Sequence, residues 1–242
     1  MTHWKYKRLS ISFMQYLNQI ARDAMLFLSC LAPVLYGLFM KFGIPAAEKF
    51  LTGYYSREEV LVPYFLIFDL FLVVLTPMMF SFASSMVILG EIDDGITKYM
   101  SVTPLGRGGY LISRLILPLT LSFVVSIIVM NVFSLDIISF EMIISLSFLS
   151  SVLGFITTMM VVSLSANKVE GMAITKMSGI SMIGIILPFF VLTRIQYLAI
   201  MLPSFWMAKF ALEGEITYLI LCVMVSAGWI LLLLRKFMKK TM

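Results

Sequence analysis

Long apolar runs separated by short polar connections dominate the chain. Six windows carry little or no charge: residues 24–40, 60–90, 115–135, 142–167, 177–193 and 216–234, with Asp69 the one charged residue in the second. A bilayer core takes about 20 apolar residues per helix. Continuous runs, as opposed to alternating ones, exclude a membrane barrel. The pattern predicts an all-α membrane protein of one domain, with six transmembrane helices over about 24–42, 60–90, 110–134, 141–166, 177–194 and 216–234. Before the first span, Leu9, Phe13, Tyr16, Leu17 and Ile20 recur at helical spacing, with Gln15, Asn18, Gln19, Arg22 and Asp23 mostly opposite. This predicts an amphipathic helix over 8–23, lying in the membrane interface in preference to packing on protein. Residues 194–215 are apolar but interrupted by Arg194, Gln196, Pro203 and Lys209. They are expected to form one or two short re-entrant helices in the outer leaflet, with Tyr197 and Trp206 at headgroup level.

Composition supports the membrane assignment. The 242 residues are 61% hydrophobic and only 13% charged, and mean hydropathy is +1.01. A soluble domain could not hide so much apolar surface. The net charge of +5 does not point to nucleic acid, because the basic residues flank the apolar runs, where they set orientation. Lys5, Lys7, Arg8, Arg22, Lys98, Arg107, Arg114, Lys168, Lys176, Arg235, Lys236, Lys239 and Lys240 fall on one side. Lys41, Lys49, Arg57, Arg194 and Lys209 fall on the other. Both termini and the 91–114 connection are therefore expected to be cytoplasmic. A cleaved signal peptide is not expected, since the first apolar run is too long for a signal core. Cys30 and Cys222 lie within apolar runs and read as packed thiols, and His3 alone cannot build a multi-histidine metal site.

Few polar groups enter the spans. An intramembrane carboxylate such as Asp69 is costly, so it either serves a wet pathway or is paired structurally, with Arg194 or Gln196 as candidate partners. Ser147, Ser150, Ser151, Gly154, Thr157 and Thr158 share one face of span four and read as a close-packing surface. Pro77 and Pro118 are expected to kink spans two and three.

The connection between spans two and three, GEIDDGITKYMSVTPLGRGGYLISR at 90–114, concentrates charge in a chain that otherwise avoids it. Ile92, Ile96, Tyr99 and Met100 form a stripe that predicts a short amphipathic helix over 91–103. Glu91, Asp93 and Asp94 would occupy its first turn, where the helix dipole favours anions, and Pro104 would end it. The stripe needs cover, which the membrane surface or a groove in a partner protein supplies equally well.

Glu91, Gly95, Thr97, Thr103, Pro104, Arg107, Tyr110 and Arg114 in this order resemble the first cytoplasmic loop of type-2 ABC exporter permeases. NKVEGMAITKMSG at 167–179 and LPSFWMAK at 202–209 are similar to a branch of drug-exporter permeases. The resemblance implies that 91–103 is a coupling helix docking on an ABC ATP-binding subunit through Glu91, Ile92, Gly95, Ile96, Thr97, Tyr99, Met100, Thr103, Pro104 and Arg107. It implies a second cytoplasmic contact at Lys168, Glu170, Gly171 and Lys176, and pairing with a second copy or a sister permease. It also implies export of an apolar or amphipathic drug, peptide or lipid across a bacterial cytoplasmic membrane. The chain has no G-x-x-x-x-G-K-[ST] sequence. ATP and magnesium are thus expected in the partner, with no cofactor and no enzymatic activity in this chain. The alternative class is a secondary transporter driven by an ion gradient, which would show more intramembrane carboxylates and an internal repeat. An intramembrane enzyme would need clustered catalytic groups, and none is visible.

Overall fold

The computed structural model describes residues 2–56, 58–100, 106–191 and 193–241, and among these the regular structure is entirely helical. Helix α1 is Thr2–Arg22. Asp23 then caps the next helix, accepting from the Met25 and Leu26 N–H groups at 3.0 and 3.3 Å. Among the described residues, six helices are long and apolar enough to cross a membrane: α2 (Ala24–Tyr55), α3 (Val62–Asp93), α5 (Gly108–Phe133), α6 (Phe140–Leu164), α7 (Lys168–Phe190) and α9 (within Ile216–Thr241). Between them stand the short helices α4 (Ile96–Met100) and α8 (Pro203–Glu213). The chain is a multi-pass membrane protein.

Several helices outrun the lengths the hydropathy suggested. The first span extends through a widened π turn at Phe39–Gly43 as far as Tyr55. The fifth begins at Lys168, so the expected 167–176 loop is the first part of α7. Helices continue beyond their apolar stretch when polar residues can reach water, and hydropathy alone does not register this. Pro118 lies within the continuous helix α5, just after a π turn at Ile112–Ile116, the kind of irregularity that accompanies a proline in a helix.

Helices α3 and α6 form the centre: 61% and 67% of their most apolar stretches are buried, against 17% for α9. They cross along the small-residue face of α6, where Ser147, Ser150, Ser151, Gly154, Thr157 and Thr158 are all buried. A Cβ on Gly154 would stand 2.8 Å from the Pro77 carbonyl oxygen, so the two backbones nearly touch. Thr158 adds a cross-helix hydrogen bond, donating to the Ser81 hydroxyl at 2.9 Å. Between lipid-solvated helices, such close approach replaces the hydrophobic effect as the source of attachment.

Two apolar clusters stack along the bundle. One gathers Leu70 and Val74 of α3, Met130 of α5, Leu146 of α6 and Phe205 of α8. The other gathers Tyr16 and Ile20 of α1, Met86 and Leu89 of α3, Met159 of α6 and Phe237 of α9. The second cluster places both terminal helices at one end of the molecule. There α1 turns Ser12, Tyr16 and Ile20 inward onto protein, while Ile11 and Met14 stay exposed. Phe13 and Leu17 pack against the same cluster, so the packed face follows the stripe read from sequence and adds a serine.

Candidate functional site

Over its described part, residues 91–100, the predicted helix is two pieces. Helix α3 runs through Glu91 and Ile92 to Asp93, with Asp94 as its C-cap. Gly95 then takes a left-handed conformation (φ +71°) that only glycine adopts without strain, and α4 starts at Ile96. Glu91 and Asp93 therefore occupy the last turn of a long helix, where the dipole disfavours acids. Ile92 packs against the inner cluster, whereas Ile96 and Tyr99 lie on α4, Tyr99 being 74% exposed. Thr103 and Pro104 fall outside the described residues, as do the side chains of Met100 and Arg107.

Glu91 is stabilised at this unfavourable position by Arg114. Both side chains are almost fully buried. The guanidinium meets Glu91 in a fork, with Nη2 2.6 Å from Oε1 and Nε 3.0 and 3.2 Å from the two oxygens. Its Nη1 donates to the Ser12 carbonyl oxygen at 2.8 Å. The rings of Tyr16 and Tyr110 flank it at 5.8 and 5.9 Å. The Ser84 hydroxyl donates to the Arg114 carbonyl oxygen, and Ser12 to the Ser113 hydroxyl at 3.1 Å. Such a pair offsets its desolvation through this geometry and these additional bonds. The group joins α1, the end of α3 and the start of α5, and the segment carrying α4 hangs between the last two. Clefts of about 400 and 210 Å3, both bordered by Gln19, Glu91 and Ile96, lie beside the start of α4.

The start of α7 closes onto the same end. Asn167 caps it by accepting from the Glu170 N–H at 2.9 Å. Asp93 accepts from the Lys168 N–H at 2.9 Å, so this acid serves the N-terminus of a different helix. Lys168 Nζ lies 3.2 Å from Asp23 Oδ2. Burial acts to raise the Asp23 carboxyl, but hydrogen bonds from Lys168 and from the Leu26 and Met25 backbone hold it below its ordinary value. Of the four residues singled out here, Glu170 and Lys176 are exposed and Lys168 is half-buried. Gly171 is buried, and a Cβ there would collide with a Leu89 methyl group, so it packs α7 closely on α3.

At the opposite end, Asp69 is fully buried and its partners are in the turn between α5 and α6. It accepts from the Leu135 and Asp136 N–H groups at 2.9 and 3.0 Å and from the Ser134 hydroxyl at 3.3 Å. Arg194 and Gln196 do not supply these bonds. Asp69→Ala is expected to cost about 1–3 kcal/mol by removing the carboxylate that accepts from the Leu135 and Asp136 N–H groups. The check is thermal unfolding of the purified protein, and an unchanged midpoint would remove the structural role.

The interrupted stretch after α7 is a 3-10 turn at Arg194–Ala199 followed by α8. Irregular backbone between spans needs partners for its carbonyls, and side chains provide them. Trp206 Nε1 donates to Ile200 O at 2.9 Å, Trp229 Nε1 to Met201 O at 2.8 Å, and Cys222 Sγ to Pro203 O at 3.2 Å. Trp206 is consequently buried in the core beside Phe205 and Tyr218, and does not sit at a surface.

The sequence profile of the Rv2686c-like family, described as fluoroquinolones export permease protein Rv2686c-like, matches residues 16–235. The chain belongs to this family. It matches no curated protein and no solved structure. The drug-exporter resemblance seen in the sequence agrees with the family, and the matched region takes in both ends of the permease bundle. The permease brings together groups that are far apart in sequence. Ser12 and Tyr16 were not legible as partners of the 90–114 segment, and Trp229 was not legible as a backbone donor. One signal was available: Arg114 stands inside the third span, where an unpaired guanidinium would be prohibitive, and Glu91 is the acid at the facing helix end.

Proposed function

We propose that the permease is the membrane subunit of an ATP-binding-cassette exporter in a bacterial cytoplasmic membrane. A separate ATPase subunit supplies ATP and magnesium, and the permease works as a pair with a second copy or a sister chain. In this reading the end carrying both termini, α4 and the start of α7 is cytoplasmic, α1 lies against the bilayer through Ile11 and Met14, and α8 is re-entrant from the outer side. The observation that carries it is the position of α4: a short helix with exposed Ile96 and Tyr99, suspended between spans two and three from the Glu91–Arg114 pair. A partner pushing on α4 moves the ends of α3 and α5 together, and α1 with them. Within a span, Asp69 is the carboxylate an ion-coupled carrier would use, and its acceptor capacity is engaged by the 134–136 turn.

The test separates docking from folding. Tyr99→Ala and Ile96→Asp alter exposed positions and are expected to leave the protein folded. Each should abolish co-purification with the cognate ATPase and drug-stimulated ATP hydrolysis by the reconstituted complex. Full ATP-driven transport by both variants would sink the assignment. Gly95→Leu, which opposes the left-handed break, is expected to lower coupling at least tenfold.

A further inference from the structure

Helices α3 and α6 run as continuous α-helix through both apolar clusters, but α7 does not. Its α-helical stretches Lys168–Ser178 and Ile183–Phe190 are separated by a 3-10 turn at Gly179–Met182. The break falls at the boundary between the clusters. Met172 and Ile174 pack against the cluster of Tyr16 and Met86, whereas Met182, Ile185, Leu187 and Phe189 join that of Leu70 and Phe205. The first half of α7 is further held by Gly171 against α3 and by the bond from the Lys168 N–H to Asp93. The second half abuts α8, where a Cβ on Gly184 would collide with the Ser204 hydroxyl and stand 2.9 Å from Phe205 N.

The residues around the turn favour a break. Ser178 and Ser181 hydroxyls donate to the carbonyls of Thr175 and Ser178, three residues back, at 2.6 and 2.7 Å, where they compete with the helical ladder. The Ile183 N–H likewise reaches back three residues, to Ile180 O. Gly179 disfavours regular helix through its backbone entropy. A Cβ there would meet nothing within 4 Å, and Ile180 is exposed, so little packing supports the turn. One contact from another helix does. The buried Ser204 hydroxyl, in the first turn of α8, donates to the Ser181 carbonyl. In a straight α-helix that carbonyl would accept from the N–H four residues on. A 3-10 stretch in mid-helix is a common place for a hinge.

We propose that Gly179–Met182 is a hinge in span five and that the Ser204 hydroxyl latches it. The second half of α7 pivots on this turn while the first half stays with α3. The latch is set by the position of α8, whose neighbouring Pro203 is bonded to Cys222 of α9. The inference goes beyond the exporter reading, and its test uses the permease alone.

Pulsed electron resonance between two spin labels, on the full chain in nanodiscs, provides that test. The labels are carried by Phe190→Cys, at the exposed end of α7, and Ile144→Cys, exposed on α6. Cys30→Ala and Cys222→Ser remove the native thiols, and the serine keeps a donor to Pro203. The stack of Phe190 on Tyr64 is absent from every variant compared. The arm from Ser181 to Phe190 is about 13 Å long at about 1.5 Å per residue, so a modest pivot moves the label by several ångström. Ser204→Ala is expected to raise the displaced population at least fivefold. A label on Val169→Cys, exposed in the first half of α7, should keep its distance to the Ile144 label. Adding Gly179→Ala, which stiffens the turn without a clash, should reduce the displaced population at least threefold. Equal movement of both halves, or of neither, overturns the proposal. So does a double variant Gly179→Ala, Ser204→Ala that moves as much as Ser204→Ala alone.

Discussion

Arg114→Ala is expected to destabilise the permease by about 3–5 kcal/mol, the usual consequence of leaving one member of a buried ion pair without the other. Three effects combine. Glu91 loses the fork that neutralises it inside the bundle. The Ser12 carbonyl loses its donor, so α1 loses a tie to α5. The acid also remains at a helix C-terminus, where the dipole opposes it. Thermal unfolding in detergent and limited proteolysis after α1 would measure the loss. Arg114→Lys keeps the charge but cannot reproduce the fork to Glu91 together with the bond to Ser12, so an intermediate value is expected. The double variant Glu91→Leu, Arg114→Met removes both charges and should recover most of the stability while loosening the hold on α4. If Arg114→Ala unfolds at the wild-type temperature, the pair is not what joins α1, α3 and α5.

Gly154→Leu is expected to have the next largest effect. The first atom added would lie 2.8 Å from Pro77 O and 2.9 Å from Pro77 Cβ. Because the obstacle is backbone of the central helix, relief requires α3 and α6 to separate along their small-residue face. Overpacking of this kind costs about 1–3 kcal/mol, and loss of the Thr158–Ser81 bond would add to it. Gly171→Ala offers the contrast. Its nearest obstacles are the ends of the Leu89 and Met86 side chains, which can rotate away, so a smaller change is expected. Purified yield and unfolding midpoint of the two variants should rank in that order. Equal stability of Gly154→Leu and wild type would refute the close crossing.

Much of the architecture was legible because a bilayer imposes one rule on every span. Each apolar run of sufficient length is a helix, since no other backbone satisfies its own hydrogen bonds there. The small-residue face of α6 was legible for a related reason: serine, glycine and threonine at helical spacing have few uses in lipid other than close packing. The 91–103 segment was harder. The spacing of Ile92, Ile96, Tyr99 and Met100 fits one helix, yet Gly95 divides it, and spacing carries no information about a positive φ. The helix dipole argument then assigned Glu91 and Asp93 to the wrong helix end. Their partners, Arg114 and the N-terminus of α7, lie 23 and 75 residues further along.

By itself, the sequence determined that this is a six-span helical membrane protein, which face of span four packs, and that residues 90–114 form its most unusual connection. Local composition suffices for these conclusions, because solvation by lipid acts on each stretch independently. The tertiary structure alone decided how the polar groups of the bundle and its turns are paired: Glu91 with Arg114, Asp69 with the 134–136 turn, and the carbonyls of Ile200, Met201 and Pro203 with Trp206, Trp229 and Cys222. In a low-dielectric interior a polar group without a partner at hydrogen-bond distance is costly. That partner is set by which helices meet in space, and order along the chain does not reveal it.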